Sequence, residues 1–388
     1  MIPRKNLLRA LRKSTSQPLY AGQNFIHRFK STLSYHLYNG KSYWPETISL
    51  FLTYKCNLRC LMCGQWGENG AFNEFGNALL KQRLSLEDIQ AIIDNVKFFK
   101  PNITLFGGEP MLHPDWIQIV EAVKRAGLRC NIVTNGTLVQ NYAKEIIKSG
   151  LDEIIFSLDG PEDIHDRIRR VPGTFQRSIK GFEILNDLKQ KQKRKKPIIN
   201  INSTLWEENY RFIDDTIDIA NRVQAKGLTF HHLLFLAKPT VRDFIRFFEN
   251  RFQQSPTDWI GFAHDTPPEI DVDFLIGKIN EIRKRKSSMD VSFFPNLDDD
   301  EVRQWYNQFE FKSHSYKNRC LSLWMTAYIF PDGSVRPYHS MNFTPGNIHE
   351  TQFTRIWNNP TYRDYRKYIK EHKRFTICSK GCTEFFRY

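Results

Sequence analysis

The sequence has no apolar run near the roughly 20 residues of a membrane-spanning helix, although 40% of its 388 residues are hydrophobic. Cysteine is scarce: a count of seven is odd and sparse, which does not suit the disulfide framework of a small secreted protein. No signal-peptide pattern begins the chain. These absences favour a cytoplasmic protein that is either free or associated with a membrane surface.

Acidic residues are almost missing from the first 46 residues, which contain eight basic residues and the single acid Glu46. This arm therefore supplies +7 of the net charge of +14. Apolar residues such as Leu7, Leu8, Phe25 and Phe29 recur opposite the basic ones at helical spacing. The pattern predicts either that residues 1–40 contact an anionic membrane or that an amphipathic arm packs on the body of the protein.

The length suits a barrel of about 250 residues with a smaller appendage. We divide the chain into a basic arm at 1–47, a barrel domain at 48–236, a linker or insertion at 237–312 that could cover the substrate, and a small α+β hairpin domain at 313–388. The barrel prediction follows from strand and helix signals that alternate between Ile48 and Phe235, as in parallel βα units.

Six strands and seven helices are expected along these segments. The strands are residues 48–54, 102–106, 128–134, 153–158, 197–204 and 228–235. The first helix follows Ser85, which forms a capping box with Asp88, and the others lie near residues 114–126, 138–149, 174–190, 209–222, 240–253 and 271–286. Six such units predict an α/β fold, a partial (β/α)6 TIM-like barrel, with functional groups at the carboxyl ends of its strands.

Three thiols, Cys56, Cys60 and Cys63, lie within eight residues directly after the first expected strand. Three thiolates can hold three irons of a four-iron cluster and leave the fourth iron open to a small molecule. Structural zinc is the alternative, but zinc needs a fourth ligand close by, and the following residues to Gly70 offer only Glu68.

Short polar or glycine-rich segments end the next three expected strands. They are Gly107-Gly108-Glu109-Pro110, Thr134-Asn135-Gly136 and Ser157-Leu158-Asp159-Gly160. Glycines let a backbone approach a ligand closely, and the Glu109 carboxylate can pair with an ammonium group. An ordinary turn is the alternative interpretation of each segment.

The Cys-x3-Cys-x2-Cys loop, together with Gly107 to Pro110, resembles the radical S-adenosylmethionine (SAM) superfamily. The resemblance implies a [4Fe-4S] cluster on the three cysteines. This cluster would reductively cleave S-adenosyl-L-methionine to a 5′-deoxyadenosyl radical that abstracts hydrogen from a substrate. It also implies that Glu109 receives the amino group of SAM and that Met62 lies near the adenine. The implied SAM contacts are Met62, Gly107, Gly108, Glu109, Pro110, Thr134, Asn135, Ser157, Asp159 and Asn202.

A second set of cysteines lies near the carboxyl end, at Cys320, Cys378 and Cys382, around a hairpin signal at Asp332-Gly333. Their spacing resembles the SPASM and Twitch auxiliary-cluster domains. Tyr338 stands where that spacing requires another cysteine, and His339 is the nearest residue able to replace it. Three alternatives follow: a second cluster with His339 or another non-cysteine ligand, a second cluster with an open iron, or a site without metal.

The resemblance covers residues 48 to 388 and predicts an enzyme that needs an electron donor such as flavodoxin or ferredoxin. Few cysteines and a short arm favour a non-peptide substrate, namely a small molecule, a glycan or a lipid-linked metabolite. A ribosomal-peptide maturase is the alternative. A non-catalytic iron–sulfur protein that binds RNA or membrane is the alternative of another class. The basic run from Lys189 to Lys196 is most simply a solvated surface, so nucleic acid is not favoured.

Overall fold

The computed structural model of the protein describes residues 18–388, so the part of the arm prediction that concerns Leu7 and Leu8 lies outside the described residues. The described chain begins with a helix, α1 (Pro18–Leu37). Six strands of one parallel sheet then follow in chain order. They are β1 (Thr47–Phe51), β2 (Asn102–Phe106), β3 (Arg129–Thr134), β4 (Glu153–Ser157), β5 (Ile198–Leu205) and β6 (Gly227–His232).

Each of these six strands pairs in parallel with the next, from Thr47 opposite Asn102 to Leu205 opposite His232. Helices connect the strands. They are α2 (Asn77–Leu80), α3 (Leu86–Val96), α4 (Trp116–Arg125), α5 (Val139–Ser149), α6 (Glu162–Arg169), α7 (Thr174–Lys191) and α8 (Ile213–Arg222). The parallel sheet with its connecting helices is the expected partial barrel, and Ser85 caps α3 in the expected capping box with Asp88.

The next segment, predicted to be a linker or insertion, also contributes a strand to the sheet. Its elements are β7 (Leu236–Ala237), α9 (Lys238–Phe252), a 3-10 helix (Thr257–Phe262), β8 (Ala263–His264), α10 (Val272–Lys284), β9 (Asp290–Phe294) and α11 (Asp299–Asn307). β9 pairs in parallel with β6, Gly227 lying opposite Asp290, so this segment adds a strand to the barrel sheet. The boundaries at 236 and 312 stay predictions, although a strand of the sheet lies between them.

The carboxyl-terminal part joins the sheet at its other edge. Its elements are β10 (Thr326–Ile329), β11 (Ser334–Arg336), β12 (Gly346–Asn347), α12 (Phe353–Ile356), α13 (Pro360–His372) and α14 (Cys378–Gly381), with 3-10 helices at Ser322–Trp324 and Thr383–Phe386. β10 runs parallel to β1, and β11 folds back on β10. Gly333, with φ +78, forms the turn of the expected hairpin, because positive φ suits glycine.

Helix α1 packs one face on the body and exposes the other. Ser31, Ser34 and Tyr35 are buried, and Arg28 forms an ion pair of 2.6 Å with Glu46 just before β1. The exposed face carries apolar side chains at four-residue spacing: Phe25, Phe29, Leu33 and Leu37, with Ile26 beside them. Within residues 18–388, no helix has the length and apolar character to cross a membrane.

Candidate functional site

Strand β1 delivers the first cysteine loop to the carboxyl end of the sheet. Cys60 is buried, and Cys56 and Cys63 are partly buried. Each sulfur accepts one N–H hydrogen bond from the protein. The donors are the backbone N of Leu58 to Cys56 at 3.5 Å, the backbone N of Trp66 to Cys63 at 3.4 Å, and Nη1 of Arg169 to Cys60 at 3.5 Å. Donors aimed at sulfur stabilise thiolates, so the loop suits metal ligation.

Arg169 is a site residue that the sequence analysis missed. Its guanidinium is buried and lies 2.5 Å from Oδ2 of Asp159, whose Oδ1 accepts the backbone N–H of Thr204 at 3.1 Å. The contact of Asp159 with SAM stays a prediction. Asp159 has a protein partner at each carboxylate oxygen. It therefore positions Arg169 beside Cys60. The sequence does contain a signal for the helix that carries Arg169. The first turn of α6, after Pro161, is rich in acidic residues, which is typical of a helix start.

Two thiols of this loop, those of Cys56 and Cys60, resist ionisation. Burial raises the pKa of Cys56 to about 12 and that of Cys60 to about 11, although Arg169 opposes the increase at Cys60. Without metal these groups are protonated at neutral pH, so iron binding must release their protons.

The spacing of the thiols bears on the zinc alternative. A possible metal site needs at least three His, Cys, Asp or Glu ligand atoms within 4.8 Å of one another. In residues 18–388 one such set exists, formed by Asp298, Glu301 and His314. The sulfurs of neither cysteine triplet meet this limit. Ligands at about 2.3 Å from one zinc ion lie closer together than that. A four-iron cluster, which is larger than one ion, fits the loop better.

The glycines after β2 bring their loop against the cysteine loop. The backbone N of Gly108 donates to the Thr53 carbonyl at 2.9 Å, and that of Glu109 to the Lys55 carbonyl at 2.8 Å. A Cβ on Gly108 would overlap the Lys55 carbonyl. These contacts with protein backbone require a glycine at position 108, and the predicted approach of Gly107 and Gly108 to SAM stays a prediction.

Glu109 is the centre of a buried polar network. Its Oε1 accepts the backbone N–H of Met111 at 3.0 Å and the hydroxyl of Thr134 at 2.9 Å, and its Oε2 accepts the backbone N–H of Asn135 at 2.8 Å. Burial raises the pKa of Glu109 to about 7 despite these donors. A carboxylate in this state gains strongly from a cationic partner.

Asn57, inside the cysteine loop, connects that loop to the end of β3. Its Oδ1 accepts from Nδ2 of Asn135 at 2.9 Å, and its Nδ2 donates to the hydroxyl of Thr137 at 2.9 Å. The structure thus brings Glu109, Thr134 and Asn135 together with the cysteine loop, as the sequence predicted. Asn57 itself was missed, because a polar residue between two cysteines carries no separate signal.

The other expected SAM contacts lie around the same end of the sheet. Ser157 and Asn202 are half-buried and pair in register between β4 and β5. Met62 is half-buried and packs on the core. Pro110 begins the 3-10 helix Pro110–Leu112. Their contacts with SAM stay predictions.

The second set of cysteines, Cys320, Cys378 and Cys382, is buried and convergent. Burial raises the pKa of Cys378 to about 12, and Cys320 adds to that increase. Burial raises the pKa of Cys382 well above its usual range, and both other thiols contribute to this increase. Because each thiol is within electrostatic range of another, the three could share one cluster.

Tyr338 and His339 take different places beside this set. The backbone N of Thr383 donates to the Tyr338 hydroxyl at 3.4 Å, directly after Cys382. The His339 ring packs against Tyr338 at 3.9 Å between centroids, with the two rings tilted, and lies 5.9 Å from the ring of Phe106, at the end of β2. These contacts turn the imidazole towards the barrel, so the prediction that His339 is the fourth ligand gains no support from them and stays a prediction.

The 3-10 helix Thr257–Phe262 touches both cysteine sites. A Cβ on Gly261 would overlap the carbonyl of Gly64, which follows Cys63. At its other side, Trp259 lies against Gly381, where a Cβ would come within 2.8 Å of the indole. This short segment is therefore the physical connection between the two sets of thiols.

Comparison with known sequence families identifies the class of protein to which this geometry belongs. The radical SAM superfamily matches residues 50–220, and the SPASM iron–sulfur cluster-binding domain matches residues 320–383. The protein is an iron–sulfur enzyme whose cofactors are a [4Fe-4S] cluster and SAM. The chain belongs to the radical SAM superfamily and carries a SPASM domain, which implies auxiliary iron–sulfur binding.

Curated relatives match this chain over different lengths. An AdoMet-dependent heme synthase of Methanosarcina barkeri is 27% identical over 321 residues, which are 81% of this chain and 82% of the relative. A probable GTP 3′,8-cyclase of Methanococcus maripaludis is 30% identical over 140 residues, 36% of this chain and 44% of the relative.

Solved structures share the fold at lower identity. SuiB of Streptococcus suis bound to S-adenosylmethionine has a TM-score of 0.59 at 15% identity, covering 83% of this chain and 68% of SuiB. The enzyme anSMEcpe bound to AdoMet and a peptide has a TM-score of 0.55 at 16% identity, covering 89% of this chain and 96% of that protein. Both support the α/β fold with a partial barrel.

Proposed function

We propose that this chain is a radical SAM oxidoreductase that acts on a non-peptide small molecule. The observation that carries the proposal is the junction of two groups: three thiols that each accept an N–H donor, and the buried network of Glu109, Thr134 and Asn135 linked to them through Asn57. A purely structural iron–sulfur protein would not need a buried carboxylate with its pKa near neutrality beside the cluster loop.

The bound cluster and SAM supply a 5′-deoxyadenosyl radical that abstracts hydrogen. The residues of the chain bind and orient these groups. Cys56, Cys60 and Cys63 hold iron, Arg169 offsets negative charge at Cys60, and Glu109 accepts the ammonium group of SAM. The 3-10 helix Thr257–Phe262 packs against the cysteine loop at Gly64.

The proposed substrate class rests on the curated relatives. The heme synthases cover about four-fifths of this chain, and an Fe-coproporphyrin III synthase of the same archaeon, Methanosarcina barkeri, is 27% identical over 189 residues. The solved structures with bound peptides are at most 18% identical and support only the fold. We therefore favour a non-peptide substrate and name carboxylated porphyrins as the first to test.

Reductive SAM cleavage tests the enzyme class. Protein reconstituted with iron and sulfide without oxygen, then reduced with dithionite, should convert SAM to 5′-deoxyadenosine and methionine. The triple variant Cys56→Ala, Cys60→Ala, Cys63→Ala should lose this activity, whereas Cys130→Ala, which changes a buried thiol in β3, should keep it. A triple variant that formed 5′-deoxyadenosine at the parent rate would exclude the proposal.

Isotope transfer tests the substrate class. Iron-coproporphyrin III deuterated on its side chains should pass deuterium into 5′-deoxyadenosine, and a panel of cysteine-containing peptides should not. Deuterium transfer from a peptide alone would instead support the maturase alternative.

We also propose that the exposed face of α1 contacts an anionic membrane. Phe25 and Phe29 are 72% and 60% exposed, and the arm around them carries eight basic residues against one acid. Apolar side chains that enter the interface and basic ones that attract anionic lipid are the two contributions such helices combine.

Vesicle sedimentation tests this contact. Binding to vesicles of phosphatidylcholine and phosphatidylserine should fall steeply with salt, since each basic residue near the surface contributes about 1 kcal/mol. The variant Phe25→Ser, Phe29→Ser should bind at least about tenfold more weakly, which corresponds to 1.4 kcal/mol. The control Phe247→Ser, Ile260→Ser changes exposed apolar residues elsewhere. Equal binding of the two variants would leave α1 as a packed arm only.

A further inference from the structure

A basic cavity opens on the side of the molecule formed by α1 and α13. Its volume is about 890 Å³, and it lies between the end of α1, the loop before Cys320 and the end of α13. The cavity is lined by five permanent cations, Lys317, Arg319, Lys367, Lys370 and Lys373, and by one acid, Glu371.

The positive charge of this cavity is not neutralised within the protein. Among residues 18–388, none of its five cations forms an ion pair with a carboxylate. Lys370 donates to the backbone carbonyls of His36 and Tyr38 at 3.3 and 3.4 Å, and Lys373 to that of Lys370 at 3.3 Å, so these contacts leave their charge uncompensated. Lys317, Lys367 and Lys373 are exposed. A cluster of positive charges at a concave surface attracts an acidic partner.

The cavity adjoins the second set of thiols. Arg319 directly precedes Cys320, and the backbone N of Cys320 donates to the carbonyl of Lys373 at 2.9 Å. Tyr35 lines the cavity, and its ring lies 5.3 Å from the Arg319 guanidinium. The lining of the cavity is therefore hydrogen-bonded to the backbone of Cys320 itself.

The cavity is separate from the SAM site in the chain's architecture. None of its lining residues belongs to the first cysteine loop or to the ends of β2, β3 and β4. A buried set of thiols that adjoins a charged concave surface is an arrangement suited to receiving electrons.

We propose that this basic cavity is the docking site of an acidic one-electron donor protein of the flavodoxin or ferredoxin class, with Tyr35 and Cys320 nearest to the donor. The inference rests on the proposed function, because a radical SAM enzyme needs a reductant. In the transfer, the donor is oxidised by one electron and an iron–sulfur centre of this chain is reduced by one, with no bond formed or broken.

Charge reversal tests the docking site. The reconstituted holoenzyme is titrated with a purified acidic flavodoxin, and the dissociation constant is measured at several salt concentrations. The variant Lys317→Glu, Lys367→Glu, Lys373→Glu should bind at least about tenfold more weakly and should lose most of the salt dependence. The matched control Lys193→Glu, Arg194→Glu, Lys195→Glu makes the same change of charge on an exposed surface run and should bind within about twofold of the parent.

Three further measurements separate the possible failures. Dithionite bypasses the donor, so SAM cleavage with dithionite should be equal in all variants that fold, and its absence in the parent would count against the proposed function and not against docking. If charge reversal prevents folding, the corresponding triple change to Gln replaces it. Inorganic tripolyphosphate is the third probe. Loss of its binding in the cavity variant, with flavodoxin binding unchanged, would assign the cavity to a small anion and overturn the proposal, as would equal flavodoxin affinity of both charge-reversal variants.

Discussion

At the scale of single residues, the first cysteine loop is supported by charge from a distant part of the sequence. Arg169 reaches Cys60 across 109 positions and is itself held by Asp159. Hydrogen bonds to the sulfurs and the net charge around the irons set the reduction potential of such clusters. A guanidinium beside one thiolate favours the reduced, more negative state.

Removing the positive charge of Arg169 should lower the reduction potential of the cluster on the first cysteine loop. Arg169→Gln alone would leave Asp159 as an unpaired buried charge, which costs about 3–5 kcal/mol of stability. The double variant Arg169→Gln, Asp159→Asn removes both charges, and we expect its first cluster to titrate at a more negative potential. Arg169→Lys should stay near the parent. Redox titration followed by electron paramagnetic resonance measures the change, and equal potentials in all three proteins would assign Arg169 to packing alone.

Glu109 should make SAM binding dependent on pH. Burial raises its pKa to about 7, and pairing with the SAM ammonium requires the ionised form. As the pH falls below 7 the carboxyl is protonated, so the dissociation constant for SAM should rise about tenfold for each pH unit and should level off above 7. Calorimetric titration of the holoenzyme between pH 6 and 8 measures this. Glu109→Gln should bind SAM more weakly and without this slope, and a parallel slope in that variant would show that another group titrates.

At the scale of elements, the sequence predicted the strands better than their assembly. Apolar runs identified β1 to β6 within a few residues, because each run is short and bounded by turn residues. It did not predict that β9 and β10 extend the sheet at its two edges, since pairing between distant segments leaves no local pattern. It also missed α6, whose eight residues are mostly charged and include only two apolar side chains, Ile164 and Ile168.

The 3-10 helix Thr257–Phe262 should control the stability of the first cysteine loop. Gly261→Ala would force its Cβ against the Gly64 carbonyl, and we expect a loss of about 1–3 kcal/mol in unfolding free energy, with faster release of iron to a chelator. Gly277→Ala is the matched control, because a Cβ there meets nothing within 4 Å and alanine favours the interior of α10. Thermal unfolding and iron release measure both effects. Equal iron release by the two variants would show that this segment does not support the loop.

At the scale of the whole molecule, the sequence predicted those parts of the site whose residues are close together in the chain. It did not predict the contacts between residues that are far apart in the chain. Spacing alone identified the thiols and the ends of β2, β3 and β4, because each motif lies within a few residues. Two contacts of the site form only when the partial barrel folds. They join Asn57 to Asn135 and Arg169 to Cys60. The same reason applies to Tyr338 and His339: the sequence does not show that the Tyr338 hydroxyl lies against Thr383, beside Cys382, and the identity of the fourth ligand stays a prediction.

The two cysteine sites should bind iron independently, since their thiols come from separate segments, residues 56–63 and residues 320–382. The triple alanine variant of the first loop keeps Cys320, Cys378 and Cys382, so we expect it to retain about three to four irons, the content of one four-iron cluster. The complementary triple variant of the second set should retain a similar amount at the first loop.

Substitutions beside the second set then distinguish its fourth ligand. The Tyr338 hydroxyl lies beside Cys382, and burial raises the pKa of Tyr338 well above its usual range, so only a bound metal would ionise it. In the background of the first-loop variant, His339→Ala should lose or shift the iron–sulfur absorption if imidazole is the ligand, and Tyr338→Phe should do so if phenolate is. An unchanged spectrum in both would indicate an iron left open for substrate, which should then respond to added substrate.

If the first-loop variant binds no iron after anaerobic reconstitution, the second site holds no cluster, and its three thiols contribute only to the packing of the hairpin domain.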